Sequence, residues 1–150
     1  MEKFADRRKW QRVPITANVA KPMVLQIPSP EGERTVPAIV INLSAGGMCI
    51  LSFLPVETKE SIKLNMEMNG IKMENVEARI AWTREKSGTY LLGLEFCGIS
   101  RGLHKRLNAM AEDYFECEER ILKGQAYEAC HPDCSFWSLC TKTIRVKRQS

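Results

Sequence analysis

Histidine is scarce in this chain, with two among 150 residues. Neither lies in an H-E-x-x-H motif, and there is no G-x-S-x-G elbow, no Walker phosphate loop and no G-x-G-x-x-G turn. The parts of common hydrolase and dinucleotide chemistry are missing, so an enzyme is not expected. Long apolar runs are lacking too. The uncharged stretch from Thr35 to Pro55 is broken by Pro37, Asn42, two serines and two adjacent glycines, which excludes a membrane-spanning helix. Glu2, Lys3, Asp6, Arg7, Arg8 and Lys9 crowd the first ten positions and leave no room there for the apolar core of a secretory signal. A cytoplasmic location is the expectation. Charge of one sign is also in short supply: 22 Lys plus Arg against 18 Asp plus Glu give +4. That excess permits a small anionic ligand without demanding a long nucleic acid.

What is present suits one globular domain, or a small domain with an appendage: 44% of residues are hydrophobic and 27% charged. From about Thr16 to Cys97 the pattern is that of strands. Ile62, Leu64, Met66 and Met68 alternate with Lys63, Asn65 and Glu67, the period of a strand with one buried and one wet face. Asn69-Gly70 tolerates the positive φ of a tight hairpin turn and predicts a return strand through Val76, Ala78, Ile80 and Trp82. Ser87-Gly88 makes the next turn, into Tyr90, Leu92, Leu94 and Phe96. Upstream, Thr35 to Leu43 and Met48 to Phe53 are apolar runs separated by Ser44-Ala45-Gly46-Gly47. The fold class is mainly β, a small antiparallel barrel or sandwich.

After Cys97 the period changes. Leu103, Leu107, Met110, Tyr114, Cys117 and Ile121 recur at spacings of three and four, one stripe of a helix with Ser100 as its N-cap and Gly124 as its stop. That stripe packs on the open end of the barrel or serves as a homodimer seam. His104, Lys105 and Arg106 read as a solvated face of this helix.

Two motifs flank the strands. Arg8-Lys9-Trp10-Gln11-Arg12 is an Arg pair four apart, which alone means nothing in a chain with this much arginine. Asn42-Leu43-Ser44-Ala45-Gly46-Gly47 fits Asp or Asn, any, Ser, any, any, Gly, and is rarer by chance. Together, in this order, they resemble the PilZ family of cyclic di-GMP receptors. Val13-Pro14, Gly47-Met48, Ala81-Trp82 and Gly93-Leu94-Glu95-Phe96 add to the resemblance, which covers about Arg7 to Cys97. It implies a PilZ-like barrel of about six strands and a ligand site at Arg7, Arg8, Arg12, Asn42, Ser44, Gly46 and Gly47. It also implies an N-terminal arm that closes over the ligand and alters a surface read by a protein partner.

The chemistry of such a site can be argued from the residues. A cyclic dinucleotide carries two phosphates and two guanines, and the planar fork of arginine bonds bidentately to either group. Pro14 disfavours helix at Val13, so an extended arm is expected. On an extended strand Asn42 and Ser44 share a face and would present amide and hydroxyl to one base or phosphate. Gly46 and Gly47 would serve a positive-φ turn that lets the backbone approach the ligand.

The six cysteines divide. Cys49 and Cys97 fall in strands and read as small buried hydrophobes. Cys117, Cys130, Cys134 and Cys140 form a C-x12-C-x3-C-x5-C array in a tail with too few apolar residues for a core of its own, where a metal could supply stability. Four thiolates suit zinc or an iron-sulfur cluster, with His131 able to replace Cys117; metal-free thiols or a disulfide are the alternative. The segment from Cys130 to Cys140 resembles, over eleven residues only, the three-Cys tail of RecB-like nucleases that hold a four-iron cluster, and no acidic nuclease motif accompanies it.

The chain thus divides into an Arg-rich arm over 1–14, a barrel over 15–98, a helix over 99–123 and a Cys-rich tail over 124–150. Against the cyclic di-GMP receptor stands a metal-centred redox or interaction module on a PilZ-like scaffold without nucleotide binding. A nucleic-acid binder is disfavoured, because the regularly spaced aromatics of a single-strand groove are missing.

Overall fold

The computed structural model describes residues 12–15, 22–68, 70–126, 129–131 and 133–142. Within them the strands are β1 (Val13–Pro14), β2 (Pro22–Ser29), β3 (Gly32–Leu43), β4 (Gly47–Ser52), β5 (Ile62–Met68), β6 (Ile71–Lys86) and β7 (Thr89–Phe96). The helix α1 (Arg101–Leu122) follows, and a 3-10 turn at Trp137–Leu139 lies in the tail. All pairings are antiparallel, in the order β1-β3-β2-β5-β6-β7-β4, and β4 returns to β3 to close a six-stranded barrel. The mainly β barrel followed by a helix is the architecture the sequence predicts.

Closure depends on the length of β3. Its first part, Gly32 to Ile39, pairs with β2, while Ala38 to Leu43 pairs with β4. Past Ile39 the edge that β2 has left is taken by β1, with Pro14 opposite Asn42 and Val13 opposite Leu43. The strand β2, which the sequence did not single out, turns Met23, Leu25 and Ile27 inward between its two prolines. Leu25, Ile50, Ile62, Leu64 and Leu92 are fully buried, each contributing about 2 kcal/mol through removal of apolar surface from water.

The turns behave as their residues dictate. Ser87 and Gly88 both have positive φ, as a two-residue hairpin requires, and Gly70 does as well. Three irregularities bend the long strands: an unmatched Ile41 in β3, an unmatched Ala81 in β6, and Asn75, whose left-handed backbone N–H donates to Asn65 Oδ1 at 2.9 Å. The return strand therefore does not keep a strict period of two.

Helix α1 starts where Ser100 Oγ accepts from the Leu103 N–H at 3.1 Å. It ends in a Schellman motif, with the Gly124 N–H donating to the Ile121 carbonyl and the Gln125 N–H to that of Arg120. Leu107, Met110 and Ala111 enter the barrel core, and the Tyr114 ring meets Phe136 of the tail edge-on at 4.9 Å. The centre of the apolar stripe is thus covered by the chain's own barrel and tail. Cys49 is buried as expected, but Cys97 is exposed, because β7 ends one residue before it. Among the described residues no helix is long and apolar enough to cross a membrane.

Candidate functional site

The hairpin joining β3 to β4 is built around one hydroxyl. Ser44 Oγ accepts from the N–H groups of Gly46 and Gly47, both at 3.1 Å, and donates to the Gly47 carbonyl at 3.2 Å. The Ser44 N–H reaches that same carbonyl at 2.9 Å. The Phe96 N–H donates to the Gly46 carbonyl at 2.9 Å and locks the hairpin to the end of β7. A Cβ on Gly47 would lie 1.9 Å from the Leu94 carbonyl oxygen, so only glycine allows β4 this close to β7.

These contacts correct two expectations. Neither Gly46 nor Gly47 is among the glycines with positive φ; Gly47 is needed for a close approach to backbone rather than for a turn conformation. Ser44 does not offer its hydroxyl freely to a ligand. The strand ends at Leu43, and the Ser44 hydroxyl, in a residue 3% exposed, is engaged within the turn. Asn42 Oδ1 is buried with no hydrogen-bond partner among the described residues. Such an atom is costly to leave unmet, and in native structures it usually has a ligand, water or unplaced donor to account for it.

Next to the hairpin is a cavity of about 640 Å³, within the range of small-molecule sites. The pairing of β1 with β3 brings Arg12 beside Ser44, and both line this cavity together with Gly46. Opposite stands Trp82, 40% exposed, whose indole covers Gly93; a Cβ there would lie 2.0 Å from Trp82 Nε1. Three atoms of the indole, Nε1, Cε2 and Cδ1, lie over Gly93, and Trp82 lines the cavity. The sequence places Trp82 in the return strand and in the family resemblance but not among the ligand residues; its position beside the hairpin follows from its pairing with Gly93 across β6 and β7.

His104 also lines the cavity, so the first turn of α1 is a wall there rather than a wholly solvated face. Glu95 brings a negative charge to the same wall, balanced by Arg79, whose Nη2 lies 3.2 Å from both carboxylate oxygens. Of the residues expected to bind ligand, Arg12, Ser44 and Gly46 line the cavity and Gly47 shapes it. Asn42 lies on the neighbouring strand, not in the lining, while Arg7 and Arg8 lie outside the described residues.

A second cavity, of about 240 Å³, separates α1 from the tail. Cys117, Cys130, Cys134 and Cys140 all line it, and no disulfide joins them. Its outer strand of chain is clipped to the helix. The Arg120 guanidinium donates twice to the Ala129 carbonyl, at 3.0 and 2.8 Å, and Asp113 Oδ2 accepts from the Ser135 N–H at 2.7 Å. Burial pushes the Cys134 thiol up from its ordinary pKa. Burial opposes the Lys142 ammonium, but its bond to Glu118 and the nearby Cys117 outweigh that and hold its pKa up. Among the described residues no group of three Cys, His, Asp or Glu side chains is placed to hold a metal ion. The expected metal site at Cys117, Cys130, Cys134 and Cys140, zinc or iron-sulfur, with or without His131, is therefore not supported.

The PilZ domain family profile matches residues 6–113. Among solved structures, the chain is similar to the c-di-GMP complex of the PilZ domain of YcgR from Escherichia coli, at 22% identity and a TM-score of 0.52, over 80% of this chain and 99% of that one. It is similar to the longer Escherichia coli YcgR structure with c-di-GMP at 20% identity and TM-score 0.51, over 81% of this chain and 50% of that one. MrkH, described as a c-di-GMP-dependent transcription regulatory factor, aligns at 11% identity and TM-score 0.52, over 73% of this chain and 51% of that one. The chain thus spans about half the length of the longer YcgR and MrkH chains. A search among curated proteins finds no match.

Proposed function

The chain belongs to the PilZ domain family, and on that premise we propose that it is a cyclic di-GMP receptor. Domains of this family are typically receptors without catalysis, in keeping with a sequence that offers no catalytic motif. The supporting observation is the shared cavity: a guanidinium from the N-terminal side, the glycine-bearing hairpin and a half-open indole converge on one space of suitable size.

In this reading Arg12, with Arg7 and Arg8 from the arm over 1–14, meets the phosphates and the guanine O6 and N7 edge. Trp82 stacks on a base, and the Gly46 backbone allows close approach. Asn42 Oδ1 supplies an acceptor either for a guanine N–H or for an arm guanidinium brought in with the ligand. Ser44 acts by holding the hairpin rather than by touching ligand. Ordering of the arm on the dianion changes the surface offered to a protein partner, the general form of a segment ordered by charge-assisted contacts.

Calorimetric titration with cyclic di-GMP tests this. Arg8→Ala and Arg12→Ala should each weaken binding tenfold or more, since each removes a charge-assisted contact worth about 1.5 to 3 kcal/mol. An unrelated oligonucleotide should lose what binding it has as salt is raised, while the dinucleotide stays bound. Absence of binding by the parent chain, or unchanged affinity in both variants, overturns the reading.

A further inference from the structure

We infer that two copies of this chain associate through the outward, charged face of α1, the two helices running antiparallel about a two-fold axis. Four residues define that face. Arg101, Lys105, Glu112 and Glu116 follow one another at steps of four, seven and four, which puts them on one stripe of the helix, and all four are exposed. The apolar stripe of the same helix is turned the other way, into barrel and tail.

Within one chain this order of charges is unfavourable. The cations stand at the N-terminal end and the anions toward the C-terminal end, against the helix dipole, and the first turn holds no acidic residue. Arg101 and Lys105 are like charges four apart, and so are Glu112 and Glu116. Opposite charges on the stripe come no nearer than the seven residues from Lys105 to Glu112, about 10 Å along the axis, too far to meet within the helix. Among the described residues none of the four enters an ion pair. The other charged groups in the C-terminal half of α1 are met by their own chain: Asp113 by the Ser135 N–H, Glu118 by Lys142, Glu119 by Lys123, and Arg120 by the Ala129 carbonyl.

A second copy supplies what is missing. In an antiparallel pair Lys105 faces the partner subunit's Glu112 and Arg101 faces the partner subunit's Glu116, because both pairs are centred on the same point, between Asn108 and Ala109. The two-fold axis repeats each contact, so every charge on the stripe is matched. Asn108 and Ala109 at the centre are uncharged and half-buried, and nothing there repels the partner. Glu119 would overhang the end of the partner helix, and that carboxylate is already matched by Lys123 at 3.2 Å. A parallel pair would set cation against cation and anion against anion, so the pattern selects one orientation. Exposed ion pairs of this kind make a weak, transient contact that salt dissolves.

Sedimentation velocity of the full chain without nucleotide tests this. A species of twice the chain's mass should grow with protein concentration at about 0.1 M salt. Its association constant should fall about tenfold or more at about 1 M salt, where screening shortens from about 10 Å to about 3 Å. Lys105→Glu and Glu112→Lys should each be monomeric, since each sets like charges face to face. Mixed in equal amounts, the two variants should form a heterodimer, in which every facing pair is again of opposite sign. Circular dichroism verifies each fold; should a charge reversal fail to fold, Lys105→Gln and Glu112→Gln should each weaken self-association severalfold. A parent chain that stays monomeric into the millimolar range, association that ignores salt, dimers of either reversed variant alone, or no recovery on mixing overturns the assignment. None of these outcomes depends on nucleotide binding.

Discussion

The cavity beside the Ser44–Gly47 hairpin and the cavity between α1 and the tail are held together by different kinds of bond. Around the Ser44–Gly47 hairpin the walls are strands, and the spacing of the side chains follows from backbone pairing of β4 with β7 and of β1 with β3. Around the four cysteines the walls are a helix and an irregular tail, spaced by side-chain clips from Arg120 and Asp113. Register is enforced by many hydrogen bonds acting together, whereas a clip is one or two bonds that can open locally while the rest stays folded. The hairpin cavity should therefore fail only with the whole barrel, and the cysteine cavity should be able to fail alone.

The hardest challenge to the first half of that statement is Gly47→Ala. The added Cβ meets the Leu94 carbonyl oxygen at 1.9 Å and the Glu95 Cα at 3.2 Å, and both are backbone atoms with no rotamer to change. Relief requires β4 to part from β7, which would cost about 3 kcal/mol. Equilibrium urea unfolding should register the loss across the entire barrel in a single transition. A loss below about 1 kcal/mol would mean that the hairpin yields locally and that the contrast between the cavities is wrong.

How much of each region could be read in advance follows the same divide. Features decided by a few neighbouring residues were legible: the Ser87-Gly88 turn, the cap at Ser100, the stop at Gly124, and the apolar stripe from Leu103 to Tyr114. Features decided by distant strands were not. The unmatched Ile41 and Ala81 arise because β3 and β6 must bend to close the barrel, and no local pattern marks them. Nor does a local pattern show that Gly47 serves a close approach to the Leu94 carbonyl of β7 rather than a positive φ. The cysteine array was legible as spacing, but the clips that fold it back onto α1 lie 9 and 22 residues apart in sequence and carry no motif.

A smaller effect, in the second region, probes whether that cavity can open by itself. Arg120→Ala removes two bonds from a guanidinium to the Ala129 carbonyl, worth about 1.5 kcal/mol together once solvent competition is counted. Hydrogen exchange at the amides of Ala129 and Cys134 should speed up about tenfold, while amides in β4 and β7 keep their rates. Equal acceleration in the barrel strands would show that tail and barrel open as one unit.

The smallest effect sits on the hairpin cavity and separates stability from binding. Arg79 and Glu95 are cross-strand partners with both side chains more than half exposed, so Arg79→Ala should lower stability by only about 0.5 kcal/mol. Its consequence for ligand is larger than that figure suggests, because Glu95 is then left uncompensated in the wall where the phosphates are proposed to lie. Affinity for cyclic di-GMP should fall about threefold at low salt and recover near 1 M salt, where the screening length drops to about 3 Å. Glu95→Gln in the same background should restore binding at low salt, since the amide keeps the shape and removes the charge. A loss that ignores salt, or that Glu95→Gln does not reverse, would mean that Arg79 holds the wall by packing and that the field in the cavity is set by other groups.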